Sequence, residues 1–119
     1  MLSFPAGGFE GLHLWDSNVI LARYLLLNRD VFAGKSVLEL LSGTGLAAIT
    51  ARKFTSAQSI TATDRCSQTV SNIHKNCSKN NIDDIQVACI TWAEYSKQEN
   101  KGKFNFIIGA DLLFKGCPV

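Results

Sequence analysis

The stretch from Lys35 to Ile49, KSVLELLSGTGLAAI, constrains the fold of this 119-residue chain most. Residues 36–40 are mostly apolar and predict a strand, and the S-G-T-G run over 42–45 predicts a turn. Mostly apolar residues then predict a helix from Leu46 onward. A strand, a glycine turn and a helix are the opening of a nucleotide-binding βαβ unit. Glycine lets the backbone approach a ligand closely, and the start of a helix offers free N–H groups.

The glycine turn does not carry the full dinucleotide fingerprint. That fingerprint is G-x-G-x-x-G, and here Gly43 and Gly45 are followed by Ala48 at the third glycine position. A NAD-type oxidoreductase domain therefore remains an alternative, but a weaker one. Glu39 is the second distinctive residue, because an acid inside an apolar strand is costly unless it has a partner.

Further elements follow on both sides of this unit. Residues 1–14 predict a loop, and a helix is predicted from Trp15, capped by Asp16 or Ser17. That helix is apolar over most of its circumference, which predicts burial on more than one side. Strands are predicted at 59–63, 85–90 and 104–110, and the apolar run of the last one is typical of a strand covered on both faces.

The helix after the second strand has one predicted apolar stripe. Its members are spaced by four, three and four residues: Cys66, Val70, Ile73 and Cys77. We expect both cysteines to be buried thiols. The polar residues between them are expected to face solvent: Asn72, Lys75, Asn76 and Lys79.

Asp64 is the second acidic candidate. It ends the second strand about 20 residues after the glycine turn, the distance at which an acid accepts hydrogen bonds from ribose hydroxyls. The alternative is that Asp64 only caps the next helix.

These residues together resemble a known family. V-L-E-L-L-S-G-T-G-L over 37–46 resembles motif I of the seven-β-strand S-adenosylmethionine (AdoMet) methyltransferases, and most of all the protein-lysine branch, methyltransferase family 16. The pattern W-x5-L-x-x-Y-L from Trp15, a tryptophan at 92 and D-L-L-F over 111–114 are similar to further family motifs. The chain departs at Leu41, where the family usually has a glycine. Leucine disfavours φ > 0, so a tight approach of the cofactor is in question there.

The resemblance implies a Rossmann-like, doubly wound α/β fold with a parallel sheet of strand order 3-2-1-4. The C-terminal part of the usual sheet would be missing, which leaves the fourth strand as an open edge. The domains would be a loop over 1–14 and a partial AdoMet-binding methyltransferase domain over 15–119. The implied activity is AdoMet-dependent methylation of a protein, most of all on lysine. The alternative is a truncated, non-catalytic form that keeps part of the AdoMet half-site.

The resemblance also implies roles for individual residues. Glu39 would contact the methionine amino group and Asp64 the ribose, while Asp111 would orient the incoming ammonium. The remaining implied site residues border the cofactor or the acceptor channel: Trp15, Leu41, Ser42, Gly43, Gly45, Trp92, Ala110 and Phe114.

Composition narrows the class of protein. The net charge is only +2 and the basic residues are scattered, which predicts no nucleic-acid partner. No apolar run approaches the ~20 residues of a membrane span, and the start shows no secretory pattern. The four cysteines form no C-x-x-C pair, which predicts reduced thiols in an intracellular protein without a zinc site. We expect a cytoplasmic location, with the nucleus as a second choice.

Overall fold

The computed structural model describes residues 13–97 and 101–112, apart from the side chain of Trp92. It has the α/β architecture that the sequence predicts. The described elements are α1 (Asp16–Leu27), a 3-10 turn (Arg29–Phe32), β1 (Ser36–Leu40), α2 (Leu46–Phe54), β2 (Ser59–Asp64), α3 (Ser67–Lys79), β3 (Ile85–Cys89), α4 (Trp92–Tyr95) and β4 (Phe106–Gly109). All strand pairs are parallel, and the predicted order β3-β2-β1-β4 is confirmed.

The core lies around β1, which is flanked by β2 and β4. Val37 of β1 pairs with Ile60 on one side and Phe106 on the other. The alanines of α2 are fully buried in the same cluster, and their small side chains let the helix lie close to the rest of the core. This packing fixes where the loop between β1 and α2 stands.

Helix α1 is buried along one stripe only, so the prediction of burial on more than one side is wrong. Its buried residues are Asn18, Ala22 and Leu25. Ile20 is 68% exposed and Leu27 is 85% exposed. The helix packs mainly against α2, and Leu21 is half-buried against the core. The predicted cap is also wrong, because Trp15 is the N-cap residue and makes no side-chain capping bond.

Helix α3 differs from its predicted stripe. Its buried residues are Thr69, Asn72, Ile73, Asn76 and Cys77. The two asparagines therefore face inward, contrary to the prediction, and Cys66 and Val70 are only half-buried. The prediction failed because it treated polar side chains as solvent-facing, whereas this helix packs beside a loop whose backbone can accept hydrogen bonds.

Strand β4 is an edge of the described sheet. It pairs with β1, and no described strand lies on its other side. One face is covered, since the ring of Phe106 lies 4.8 Å from that of Phe32, but Ile107 on the opposite face is 64% exposed. Within the described residues β4 is thus an edge strand, and the expectation that it is covered on both faces is wrong. No helix among the described residues is long and apolar enough to cross a membrane.

Candidate active site

The candidate site lies at the carboxyl edge of the sheet. Because β1, β2 and β4 are parallel and adjacent, their ends and the loops that follow them meet there. This is the edge at which open α/β sheets bind ligands. The sequence predicted site residues in all three of these loops, and the fold brings the loops together.

Glu39 precedes the glycine loop in β1, and its side chain binds an N–H group in the first turn of α2. It is 1% exposed, and its Oε2 accepts a hydrogen bond from the N–H of Ala48 at 3.2 Å. Its Oε1 is buried and has no hydrogen-bond partner among the described residues. Burial raises the pKa of Glu39 to about 8, outweighing the hydrogen bonds that lower it. Burial thus favours the protonated form of this acid, which lies beside the Ser42 side chain of the loop.

The glycine loop itself turns through three left-handed residues. Leu41, Gly43 and Gly45 have φ values of 50°, 57° and 87°. A Cβ on Gly45 would come 3.2 Å from Cγ2 of Ile73, so a side chain there would crowd Ile73 in addition to straining the backbone. Leu41 takes the left-handed conformation that the family's glycine suits, which costs a leucine about 1–2 kcal/mol.

Asp64 pins the glycine loop to the end of β2. Its Oδ2 accepts from the N–H of Gly43 at 3.3 Å, and its Oδ1 accepts from the N–H of Cys66 at 3.1 Å. The side chain is nearly buried, and burial raises the pKa of Asp64 against these hydrogen bonds. Each carboxylate oxygen retains another lone pair. The capping alternative thus describes one contact of Asp64, while the ribose role stays a prediction.

Two residues that sequence reasoning missed hold this loop. Thr63 donates its N–H to Oγ of Ser42 at 3.0 Å and its hydroxyl to the carbonyl of Glu39 at 2.7 Å. Asn76, fully buried in α3, donates Nδ2 to the carbonyl of Thr44 at 2.8 Å. No periodicity marks Asn76 as functional; only the fold places its amide against the loop.

Asp111 follows β4 and is tied to the first turn of α1. Its φ is 53°, and its Oδ2 accepts from Oγ of Ser17 at 2.5 Å. The preceding turn is tight, because a Cβ on Gly109 would lie 2.7 Å from Leu112. Asp111 is exposed, so its carboxylate is anchored at one oxygen yet open to solvent. Ser17, predicted as a helix cap, instead positions this carboxylate.

The remaining predicted residues fall near this edge or outside the description. Trp15 is 44% exposed and its ring meets the edge of His13 with centroids 4.5 Å apart. Ala110 is half-buried beside Asp111. Trp92 begins α4, but its side chain lies outside the described residues, as does Phe114. The described ranges contain no cluster of three metal-ligating side chains.

Comparison with known proteins decides the family. Residues 7–116 match the family model described as lysine methyltransferase, methyltransferase family 16. The chain belongs to this family. It is 32% identical to protein N-lysine methyltransferase METTL21A of Danio rerio, over 85% of this chain and 47% of that protein. It is 29% identical to histone-arginine methyltransferase METTL23 of Rattus norvegicus, over 88% of this chain and 47% of that protein.

This lysine methyltransferase family member spans about half the length of those curated relatives. Among solved structures it is similar to the ribosomal protein L11 methylase of Lactobacillus delbrueckii subsp. bulgaricus, with a TM-score of 0.67 and 25% identity over 82% of this chain and 47% of that one. A putative methyltransferase complexed with SAH shares the fold, with a TM-score of 0.65 and 19% identity over 79% of this chain and 25% of that chain.

The cofactor of this family is AdoMet, and the residues present fit it. Oε1 of Glu39 is a buried acceptor without a partner among the described residues, as a bound ammonium requires. The left-handed glycines keep side chains out of the loop, and Asp64 stands at the end of β2. The one misfit to the family pattern, Leu41, does not prevent the loop from taking a left-handed turn.

Proposed function

We propose that this chain is the AdoMet-binding part of a protein N-methyltransferase whose acceptor is a lysine side chain. The observation that carries the proposal is the glycine loop, which is flanked by two buried acids of adjacent strands. Glu39 lies below the loop and Asp64 holds its N–H, while Asp111 stands across β1 at the end of β4. Family membership supports the same assignment.

On the donor side, the residues of this chain bind and orient. When bound, AdoMet supplies a methyl group on a positively charged sulfonium. Glu39 would release its proton and pair with the amino group of the methionine moiety, and Asp64 would accept from the ribose hydroxyls. Because the loop is held by Asn76 and Thr63 before any ligand arrives, little ordering entropy remains to be lost on binding.

On the acceptor side, Asp111 would orient the incoming amine. The lysine ammonium would first have to give a proton to solvent, which frees its lone pair to accept the methyl group that bound AdoMet would supply. The bond to Ser17 leaves the other carboxylate oxygen of Asp111 to accept from the ammonium. Such alignment accounts for a large part of the catalysis in displacements of this kind. We propose that Phe114 lines the approach.

Two alternatives lead to different results. A relative named as a histone-arginine methyltransferase makes arginine the competing acceptor. The open edge at β4 and the exposed Ile107 favour the second alternative, a chain that binds AdoMet but does not complete an acceptor site. We propose an intracellular, cytoplasmic location and a protein partner, rather than a nucleic acid or a membrane.

The test begins with cofactor affinity. Asp64→Ala removes acceptors of charge-assisted hydrogen bonds worth roughly 1.5–3 kcal/mol each, so AdoMet should bind at least about tenfold more weakly by calorimetry. Asp83→Ala is the matched control, because it removes the same charge from an exposed position before β3. Unchanged affinity in Asp64→Ala, or a preference for NAD, would refute the AdoMet site.

Transfer is measured separately with radiolabelled AdoMet and a cell lysate. Label on lysine that disappears in Asp111→Ala supports the enzyme, and label on arginine would change the acceptor. AdoMet binding without any transfer would favour the non-catalytic form.

A further inference from the structure

Two cysteines each lie beside Asp64, and the proposed function uses neither of them. Asp64, at the end of β2, is paired in register with Cys89, at the end of β3. The N–H of Ile90 donates to the carbonyl of Asp64 at 3.0 Å, so the segments that follow β2 and β3 remain hydrogen-bonded beyond that pair. Cys66 follows Asp64 by two residues.

The thiol of Cys89 points toward the turn that leads into Cys66. Its Sγ lies 3.5 Å from the carbonyl oxygen of Arg65. This carbonyl belongs to the peptide group that joins Arg65 to Cys66. Ile85 and Val87 of β3 pack against the core cluster that holds the α3 residues Ile73 and Cys77. Cys89 follows at the same alternate spacing, at the exposed end of the strand. Cys89 therefore lies on the same face as α3, and Cys66 is the N-cap residue of that helix.

The two thiols have complementary environments. Cys66 is half-buried at the start of α3, where the N–H groups of Thr69 and Gln68 lower the pKa of its thiol more than burial raises it. Cys89 is exposed. A thiolate that is stabilised at a helix N-terminus is the nucleophile in thiol oxidation, and an accessible second cysteine resolves the product. Cys77 contrasts with both, since it is buried and burial raises the pKa of its thiol.

We propose that Cys66 and Cys89 form a reversible disulfide under hydroperoxide, and that this link weakens cofactor binding at the neighbouring Asp64. The Cys66 thiolate attacks one oxygen of the hydroperoxide, the O–O bond breaks, and a sulfenic acid forms. The Cys89 thiol attacks that sulfur, the S–S bond forms, and the oxygen leaves as water. Two thiols are oxidised by the loss of two electrons and two protons, and hydrogen peroxide is reduced to two water molecules.

The link would act on the site through Asp64. A disulfide holds its two Cα atoms about 4.4–6.8 Å apart. Forming it would turn the Cys89 thiol away from the carbonyl of Arg65 and restrain the turn over 64–66. The N–H of Cys66 is the donor to Oδ1 of Asp64. Moving that donor displaces the carboxylate, which also holds the glycine loop through Gly43. This effect on affinity rests on the proposed AdoMet site, whereas formation of the disulfide does not.

The experiment uses the full chain with Cys117→Ser, because Cys117 lies outside the described residues. Trypsin cuts after Arg65, Lys75, Lys79 and Lys97, which places the three remaining cysteines on separate peptides. After hydrogen peroxide and thiol alkylation, mass spectrometry should find the Cys66 and Cys89 peptides joined and the Cys77 peptide alkylated. Dithiothreitol should separate the joined pair, and Cys66→Ser or Cys89→Ser should prevent it.

AdoMet affinity is then measured on the reduced, oxidised and re-reduced protein. We expect oxidation to weaken AdoMet binding by about tenfold or more, with full recovery on reduction and no change in Cys89→Ser. The proposal is overturned if the Cys66 and Cys89 peptides are never joined, or if they are joined only between two protein molecules. A disulfide that leaves the affinity of an AdoMet-binding protein unchanged overturns the switch. If the reduced protein fails to bind AdoMet, the proposed function fails instead, and peptide mapping still decides whether the disulfide forms.

Discussion

Leu41 is the residue at which the conformational demand of the glycine loop is most directly measurable. Its φ of 50° costs a residue with a Cβ about 1–2 kcal/mol. Glycine avoids that strain but loses about 0.5–1 kcal/mol of conformational entropy relative to alanine on folding. The balance predicts that Leu41→Gly is more stable than Leu41→Ala by about 0.5–1 kcal/mol.

The packing of the leucine side chain nearly cancels when the glycine variant is compared with the alanine variant. Both variants lose the half-buried leucine side chain to the same extent apart from one methyl group. The preceding residue, Leu40, is the matched control, because it is also half-buried but lies in β1 without a positive φ. At Leu40 the order should invert, and glycine should be less stable than alanine by about 0.5–1 kcal/mol.

The assay is thermal or urea unfolding of the four variants beside the wild-type chain. A difference of 1 kcal/mol corresponds to about 4 °C in the unfolding midpoint of a domain of this size. If glycine is less stable than alanine at both positions, Leu41 is not strained and the reasoning is refuted. We also expect AdoMet to bind Leu41→Gly more tightly than wild type, and weaker binding would show that the cofactor follows another path past this loop.

Further predictions concern the residues that hold the loop from below. Asn76→Ala removes the side-chain donor to the carbonyl of Thr44, so it should cost about 1–3 kcal/mol of unfolding free energy and weaken AdoMet binding. Asn80→Ala removes the side-chain hydrogen bonds of Asn80 to the carbonyl of Asn76 and from Lys53 at the far end of α3, and it should leave AdoMet affinity unchanged. Equal losses of affinity in the two variants would contradict a role for Asn76 at the loop. For Glu39, the folded pKa of about 8 lies above the ordinary pKa of 4.5, so the folded state holds an extra proton between these values. Stability should therefore fall as pH rises through them, by up to about 1.4 kcal/mol per pH unit. Glu39→Gln should flatten the dependence of unfolding free energy on pH. It should also abolish the proton release on AdoMet binding that calorimetry in different buffers detects at pH 7. An unchanged pH dependence of stability in this variant would mean that another group titrates.

The local part of the site was readable from the sequence. Strand β1 begins and ends where the apolar run predicted, and α2 follows the glycine turn as expected. Glu39 was singled out because an acid within an apolar strand needs a partner. Asp64 was singled out because it ends the second strand about 20 residues after the glycine turn. These signals depend on near neighbours in the chain, and hydrophobic periodicity and turn chemistry express them directly.

Tertiary structure alone decided the contacts between distant segments. Asn76 and Thr44 are 32 residues apart, and Ser17 and Asp111 are 94 apart. The two asparagines facing inward on α3 and the pairing of Asp64 with Cys89 likewise follow from how the sheet and helices pack. A polar side chain carries no local mark of its partner, since burial is favourable only where the fold supplies a donor or an acceptor. The sequence thus determined the loop and its acids, and the fold determined which side chains hold them in place.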